Sequence, residues 1–262
     1  MDVRFDGKTA LITGGARGIG YATARLLAQG GAKLALVDIN GELVEASSRK
    51  LAAETGAQVI GVHADITSEE AVNGMIAQVK AKLGAVDIFV SSAAILDDKL
   101  FLESTSADWK RMIDVCLYGP MLCMHKLLPD MVARRYGRVI CIASDAARVG
   151  QARLSYYAAA KGGVIALVKS VAQEVGKGGV TLNIVAPGAT NTELRQERET
   201  RMRAEMGEEK YQRRLRTVLR MYPTGRIGEP EDIASMITFL ASEQASWITG
   251  QVVSVNGGFA MP

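Results

Sequence analysis

The stretch Thr13-Gly14-Gly15-Ala16-Arg17-Gly18-Ile19-Gly20 lies between a short strand-like run, 8–13, and a helical pattern from about Gly18 to Gln29. Glycine permits a tight turn and a close approach of other groups to the backbone. The helix that follows presents free N–H groups and the positive end of its dipole to the turn. In this strand–turn–helix setting, the glycines predict a site for the pyrophosphate of a dinucleotide.

The alternation of strand and helix continues along the chain. Strand-like runs lie at 33–38, 58–65, 86–91, 138–144, 180–187 and 252–256, and helical patterns lie near 41–54, over 68–83, from about 107 and from about 155. Runs such as Leu34–Val37 are apolar on both faces, which suits a parallel sheet covered by helices on each side. The sequence therefore predicts an α/β fold, a doubly wound, Rossmann-like sheet of seven strands, in a single domain over 1–262.

One segment, 193–222, interrupts this pattern because it is dense in arginine and glutamate. It predicts one or two amphipathic helices inserted after the sixth strand. Such helices are either an ordinary solvated surface or a lid over the substrate, since ligands bind beyond the carboxyl ends of the strands in these folds. Position favours a lid, although most of the individual arginines are expected to be solvated.

Bulk composition excludes several classes of partner. The chain has 262 residues, 48% of them apolar, and a net charge of +3, so neither a nucleic acid nor a membrane surface is expected to bind. No apolar run approaches the roughly 20 residues that span a bilayer, and no signal-peptide pattern is present. Three cysteines and two histidines without metal or disulfide spacing predict no metal site and a cytoplasmic protein.

An acid at the end of the second strand bears on the choice of cofactor. Asp38 follows the glycine turn by some 20 residues, where a carboxylate binds ribose hydroxyls and repels a 2′-phosphate. Arg17 has the opposite effect, because a cation in the turn could pair with a 2′-phosphate, but Ile39 supplies no second cation. NAD is therefore expected rather than NADP. Asp65 and Ile66, after the third strand, are candidates for the adenine edge.

A tyrosine and a lysine at the start of a predicted helix form the candidate reacting centre. Tyr157 and Lys161 are four residues apart, so both side chains lie on one helix face. An ammonium group near a phenol lowers its pKa and lets it exchange a proton with an alcohol. Ser144 ends the fifth strand, where its hydroxyl can hold a substrate oxygen. These residues predict hydride transfer between a nicotinamide cofactor and a secondary alcohol or ketone.

Together these motifs resemble the classical short-chain dehydrogenase/reductase family over essentially the whole chain. The matching features, in order, are 13–20, Asp38, Asp65, Ser144, Tyr157 with Lys161, 183–188 with Thr192, 248–251 and Gly257-Gly258. The resemblance implies that Tyr157 is the catalytic acid/base, that Ser144 holds the substrate oxygen and that Lys161 also binds the cofactor ribose. It further implies a homotetramer or homodimer.

The resemblance also assigns the cofactor-binding residues. They are expected to be Gly14, Arg17, Gly18, Ile19, Gly20, Asp38, Ile39, Asp65, Ile66, Ser92, Ala93, Tyr157, Lys161, Pro187, Gly188, Thr190 and Thr192. Among these, the segment from Pro187 to Thr192 is expected to meet the nicotinamide.

Two positions depart from the family pattern. The family usually has Asn-Asn-Ala-Gly where this chain has 91–94, and Ala94 cannot adopt a positive φ without strain, so the backbone is expected to differ locally. An asparagine that is thought to link Lys161 to solvent through a water is replaced by Cys116. Cysteine keeps the backbone carbonyl but lacks the amide, so we expect the proton relay to survive, with some loss of rate.

Two functions stay open at this point. One is an NAD-dependent alcohol dehydrogenase or ketoreductase, and the other is a non-catalytic dinucleotide-binding sensor or scaffold. The two departures favour the second, and the intact set of Ser144, Tyr157 and Lys161 argues strongly against it. The substrate is poorly encoded. The stretch 140–150 resembles family members that act on alicyclic hydroxyacyl-CoA thioesters, whereas other cyclic or hydrophobic alcohols fit equally well. The lid arginines suit a phosphate, a carboxylate or simply solvent.

Overall fold

A single sheet of seven parallel strands runs through residues 3–261, the part of the chain that the computed structural model describes. The strands are β1 (Thr9–Thr13), β2 (Lys33–Asp38), β3 (Val59–His63), β4 (Ile88–Ser91), β5 (Gly137–Ile142), β6 (Val180–Pro187) and β7 (Val252–Val255). Their spatial order is β3-β2-β1-β4-β5-β6-β7, and every neighbouring pair is parallel. The predicted fold class is confirmed.

Helices connect the strands and cover both faces of the sheet. They are α1 (Gly18–Gln29), α2 (Gly41–Thr55), α3 (Glu69–Leu83), α4 (Ser106–Ile113), α5 (Gly119–Ala133), α6 (Ala146–Val149), α7 (Ser155–Val175), α8 (Glu193–Met206), α9 (Glu208–Arg220) and α10 (Pro230–Ala241). A π-helical turn, Asp114–Tyr118, joins α4 to α5. Side chains of Asn40 and Ser68 cap α2 and α3 by accepting a hydrogen bond from a first-turn N–H.

The alternation of side chains along each strand builds two core layers. Leu11 of β1 packs in a layer with residues of α3, α5 and α7, whereas its neighbours Ala10 and Ile12 pack in a layer with residues of α1, α2 and α10. All three are fully buried. Burying a large aliphatic side chain such as that of Leu11 or Ile12 contributes about 1.5–3 kcal/mol. The apolar faces on both sides of the strands therefore reflect helices on both sides.

The strand order reverses at β1, because β1 lies between β2 and β4. In open parallel sheets, the loops that leave the strands on the two sides of such a point diverge and create a crevice beyond the carboxyl ends. The glycine turn after β1 and the loop after β4 both open into this crevice. The topology thus fixes where a ligand can bind.

The structure differs from the sequence-based prediction mainly in the following places. Helix α10 was not predicted, although Pro230 in its first turn and a capping box of Glu229 and Asp232 mark its start. Strand β5 ends at Ile142, so Ser144 lies two residues beyond the strand rather than at its end. Strand β3 is shorter than the predicted run, at Val59–His63.

The arginine-rich segment forms the two helices α8 and α9, which are separated by Gly207 at φ 79°. Thr192 caps α8 by accepting a hydrogen bond from the N–H of Arg195. We call 193–222 the lid segment. Within residues 3–261, no helix combines the length and the apolar character that crossing a membrane requires.

Candidate active site

A cleft of about 670 Å³ lies along the carboxyl edge of the sheet, between the glycine turn, α7 and the lid segment. It brings together Ser144, Tyr157 and Lys161, the three candidate catalytic residues. Sixteen predicted cofactor residues also line it: Gly14, Arg17, Gly18, Ile19, Asp38, Ile39, Asp65, Ile66, Ser92, Ala93, Tyr157, Lys161, Pro187, Gly188, Thr190 and Thr192. Gly20 is the exception, because it does not line the cleft.

The glycine turn is shaped by close backbone contacts. Gly14 has φ 62°, and a Cβ there would lie 2.7 Å from Cα of Ala93. A Cβ on Gly20 would overlap the carbonyl oxygen of Gly14. Gly20 therefore lets α1 pack against its own turn, which explains why it lies behind the cleft wall. Its predicted role as a direct cofactor ligand is not supported by this position.

The start of α1 suits an anion. No side chain caps this helix, so the N–H groups of its first turn lack a side-chain acceptor. Gly18 and Ile19 in that turn line the cleft. The positive end of the helix dipole points the same way. Free donors next to glycines without side chains fit the pyrophosphate that the sequence predicted.

Asp38 and Arg17 occupy different surroundings at the end of the cleft that holds the glycine turn. One carboxylate oxygen of Asp38 accepts a hydrogen bond of 3.1 Å from the N–H of Asn40, which orients the acid at the end of β2. Ile39 beside it is 66% exposed and supplies no charge. Arg17 donates from Nη1 to Oε1 of Glu197 in the lid segment at 2.6 Å. The cation that would favour a 2′-phosphate is therefore already paired.

Lys161 and Tyr157 lie on the same face of α7, as their spacing predicted. The ammonium group of Lys161 donates to the carbonyl oxygen of Ile142 at 2.7 Å, at the end of β5. Its Nζ lies 5.9 Å from the centre of the Tyr157 ring, and the lysine is 2% exposed. Ser144 hydrogen-bonds to Tyr157 and accepts from the N–H of Ala146 at 3.2 Å. The hydroxyl and the phenol thus contact each other, and the ammonium group lies near the phenol ring.

Comparisons with known proteins agree with this geometry. The family model described as enoyl-(acyl carrier protein) reductase matches residues 14–260. The chain is 35% identical to 3-oxoacyl-[acyl-carrier-protein] reductase FabG of Aquifex aeolicus, over 98% of this chain and 99% of that protein.

The chain belongs to the short-chain dehydrogenase/reductase family. It is an oxidoreductase that acts on CH–OH groups, in keeping with its relatives. It is also 38% identical to 2,3-dihydroxy-2,3-dihydro-p-cumate dehydrogenase of Pseudomonas putida, over 98% of this chain and 95% of that protein. The crystal structure of levodione reductase superposes with a TM-score of 0.90 at 33% identity, covering 97% of this chain and 98% of that one.

Burial dominates the pKa of the tyrosine in this short-chain dehydrogenase/reductase. Desolvation raises the pKa of the Tyr157 phenol well above its usual value, the neighbouring Cys116 raises it further, and the hydrogen bond from Ser144 lowers it. The sequence predicted a pKa lowered by Lys161. In the structure the ammonium group is directed to the carbonyl of Ile142 instead, so its effect does not offset the loss of water around the phenol.

Cys116 lies in the π-helical turn, where the helix bulges next to the reacting centre. Its thiol is fully buried and contacts the carbonyl oxygen of Ile95 at 3.7 Å and the sulfur of Met112 at 3.6 Å. π-bulges frequently occur at functional sites. The thiol packs in a small cluster with Met112 and Tyr156, against which Tyr157 also packs.

The departure from the family pattern at 91–94 causes no backbone strain. Among residues 3–261, only Arg135 and Arg153 have a positive φ without being glycine. Ala94 therefore avoids the left-handed region that a glycine would adopt. In the loop after β4, Ala94 with Ile95 and Leu96 forms part of the cleft wall.

The lid segment contributes charged residues that sequence reasoning did not single out. Glu199 is 7% exposed, and its carboxylate contacts Arg195 at 3.3 Å and Arg214 at 3.0 Å. Arg198 forms an ion pair of 2.6 Å with Asp98, in the loop after β4. The charge pattern of 193–222 predicted amphipathic helices, by position a lid, with most arginines solvated, and only the fold reveals which of these arginines face the cleft.

Asp145 was also missed, although it follows Ser144 directly. It is 1% exposed, and its two carboxylate oxygens accept hydrogen bonds of 2.5 Å from Ser254 and Asn256 at the end of β7. These bonds tie the loop that carries Ser144 to a segment more than 100 residues away. An acid in an otherwise apolar stretch was the only signal in the sequence.

Proposed function

We propose that this short-chain dehydrogenase/reductase interconverts a secondary alcohol and its ketone with NAD as the cofactor. The observation that carries the proposal is the convergence of Ser144, Tyr157 and Lys161 on the cleft that also holds the glycine turn and Asp38. One end of the cleft offers groups for a dinucleotide, and the middle offers groups that move a proton. The bound nicotinamide supplies the chemistry of hydride acceptance or donation.

The three catalytic candidates divide the work on the substrate oxygen. Ser144 donates a hydrogen bond that holds this oxygen, and Tyr157 gives it a proton in ketone reduction or takes one in alcohol oxidation. Lys161, fixed by the carbonyl of Ile142, supplies positive charge next to the phenol and binds the cofactor ribose. Backbone N–H groups at the start of α1 hold the pyrophosphate, and Asp38 accepts hydrogen bonds from the ribose hydroxyls.

NAD is favoured over NADP on two grounds. Asp38 presents negative charge where a 2′-phosphate would lie, and like charges repel. Arg17, the cation that could offset this repulsion, forms its ion pair with Glu197 at 2.6 Å. A 2′-phosphate would therefore have to compete with a carboxylate for Arg17 while facing another carboxylate.

The cleft walls favour an apolar substrate body. The substrate half is lined by Ile95, Leu96, Leu154, Val218, Met221, Tyr222 and Phe259. Such a surface suits a cyclic or otherwise hydrophobic alcohol, and an alicyclic hydroxyacyl-CoA is a larger candidate of the same type. We further propose that the lid segment closes this half of the cleft and that the protein is a cytoplasmic homotetramer or homodimer.

Absorbance of the reduced cofactor tests the reaction. We expect hydride transfer from NAD with a panel of cyclic secondary alcohols and loss of at least about 100-fold in kcat/KM for Tyr157→Phe. Because burial favours the protonated phenol, alcohol oxidation should speed up as the pH rises through the alkaline range, whereas ketone reduction should not.

A matched control comes from the neighbouring tyrosine. Tyr156 donates to Asp97 at 2.7 Å and does not line the cleft, so Tyr156→Phe should retain far more activity than Tyr157→Phe. Tight binding of NADH without turnover of any alcohol or ketone would contradict the proposal. That result would favour a dinucleotide sensor on the same fold.

A further inference from the structure

The lid side of the cleft carries more positive than negative charge. Four arginines line the cleft there, Arg111, Arg195, Arg198 and Arg214. Arg198 shares Asp98 with Arg153, and Arg195 and Arg214 share the single carboxylate of Glu199. Among residues 3–261, no carboxylate forms an ion pair with Arg111.

The group formed by Arg195, Glu199 and Arg214 is well buried for its charge. Their side chains are 17%, 8% and 26% exposed, respectively. Each oxygen of Glu199 contacts one arginine, so the carboxylate orients both guanidinium groups at once. One negative and two positive charges leave a net charge of +1. A partly buried surplus charge costs free energy unless a counter-ion approaches it.

Other acids near the cleft do not supply that counter-ion. Both carboxylate oxygens of Asp145 already accept hydrogen bonds from Ser254 and Asn256. Glu193 lies beside the glycine turn, where its carboxylate would be 3.4 Å from a Cβ on Gly18. Glu197 pairs with Arg17 in that same region. The surplus positive charge of Arg195 and Arg214 therefore persists next to the apolar half of the cleft.

Guanidinium groups bind carboxylates and phosphates through several parallel N–H donors, and each arginine here gives Glu199 only one close contact. We propose that Arg214 and Arg195, oriented by Glu199, bind an anionic group of the substrate, a carboxylate or a phosphate. The substrate is then an apolar secondary alcohol or ketone with a negative charge at the end away from the reacting carbon. This inference rests on the proposed function, because it concerns the substrate of the same cleft.

Binding measured without turnover tests this inference separately from catalysis. With the protein saturated with NADH, calorimetry compares cyclohexanecarboxylate, cyclohexyl phosphate and the neutral cyclohexanecarboxamide. We expect at least one of the two anions to bind about tenfold or more tightly than the amide, because hydrogen bonds to charged groups are the stronger ones. The stronger anion identifies the group as carboxylate or phosphate.

Three variants assign the effect to the arginines. Arg214→Gln should lower the preference for the anion over the amide to about threefold or less, whereas Arg213→Gln should retain it. Arg213 lies on the same helix, is 65% exposed and pairs with Glu209. Glu199→Gln keeps one oxygen that can orient an arginine and removes the negative charge that competes with the ligand, so it should keep or raise the preference. A loss of the preference in this variant would count against the anion site.

The outcomes separate this inference from the proposed reaction. Equal binding of anions and amide by the wild-type protein, no binding of any probe, or equal losses in Arg214→Gln and Arg213→Gln would overturn the anion site. Turnover of neutral cyclohexanol would still support the proposed function in those cases. Selective anion binding without hydride transfer to any alcohol would overturn the proposed function and retain the anion site.

Discussion

The ion pair between the glycine turn and the lid segment predicts how the cofactor preference responds to a single substitution. Glu197→Gln removes the carboxylate that pairs with Arg17 at 2.6 Å and keeps nearly the same side-chain volume. Arg17 is then available to a 2′-phosphate. Asp38 is unchanged, so we expect NAD to remain the better cofactor while NADP improves.

The exposure of the pair sets the size of the effect. The side chains of Arg17 and Glu197 are 43% and 51% exposed, so solvent screens their attraction. Ion pairs of this kind contribute about 0.2–1 kcal/mol. The upper value corresponds to a factor of about five. We therefore expect kcat/KM for NADP to rise about 1.4- to fivefold relative to that for NAD.

Initial rates with each cofactor and one alcohol measure this ratio, at low salt and at about 0.5 M salt. Screening by salt should reduce the difference between wild type and variant. Glu209→Gln is the control, because Glu209 is 83% exposed and pairs with Arg213 away from the turn. An unchanged ratio in Glu197→Gln, or the same change in the control, would refute the reasoning.

Three further substitutions test the turn, the buried thiol and a helix cap. Gly20→Ala forces a methyl group against the carbonyl of Gly14, so it should lower the free energy of unfolding by about 1–3 kcal/mol and weaken NADH binding. Gly162→Ala is the control, because it has open space around it and should change neither quantity. Urea unfolding and binding titrations measure the two effects. Cys116→Asn should cost about 2 kcal/mol of stability, because it buries an amide in an apolar cluster. Its kcat should stay near the wild-type value, and a large gain would mean that the proton relay is impaired. Asp232 has a pKa lowered to about 2, mainly by a hydrogen bond from its arginine partner, so its stabilisation is present above pH 4 and is lost as the pH falls toward 2. Asp232→Asn should therefore destabilise by about 1 kcal/mol at pH 7, after allowance for solvent screening, and the deficit should shrink below pH 4 in denaturant titrations.

Local patterns in the sequence predicted most of the fold. Strands that are apolar on both faces require helices on both sides, and the glycine turn fixes the first strand and helix. The boundaries of α1 and β2 agree with the prediction to the residue. Helix α10 was missed, although its capping box is visible in the sequence. Its apolar residues come soon after the charged segment 193–222, where the strand–helix alternation is interrupted.

The candidate site was less predictable wherever it depends on distant pairs. Arg17 and Glu197 are 180 residues apart, and nothing in either local pattern indicates the other. The pKa of Tyr157 was wrongly expected to fall, because helical spacing gives proximity to Lys161 but not the burial around the phenol or the direction of the ammonium group. Pairing and desolvation are properties of the folded chain.

The residues that flank the lid segment on either side are joined to each other. Thr190 and Gly228 form an isolated parallel bridge, and Asn191 donates its N–H to the carbonyl of Gly228 at 2.7 Å. A loop whose ends are already joined can change in length and composition at little entropic cost to the rest of the chain. Replacing the segment between them is therefore a route to new substrates, and keeping Thr192 and the partner of Arg17 should preserve the cofactor preference.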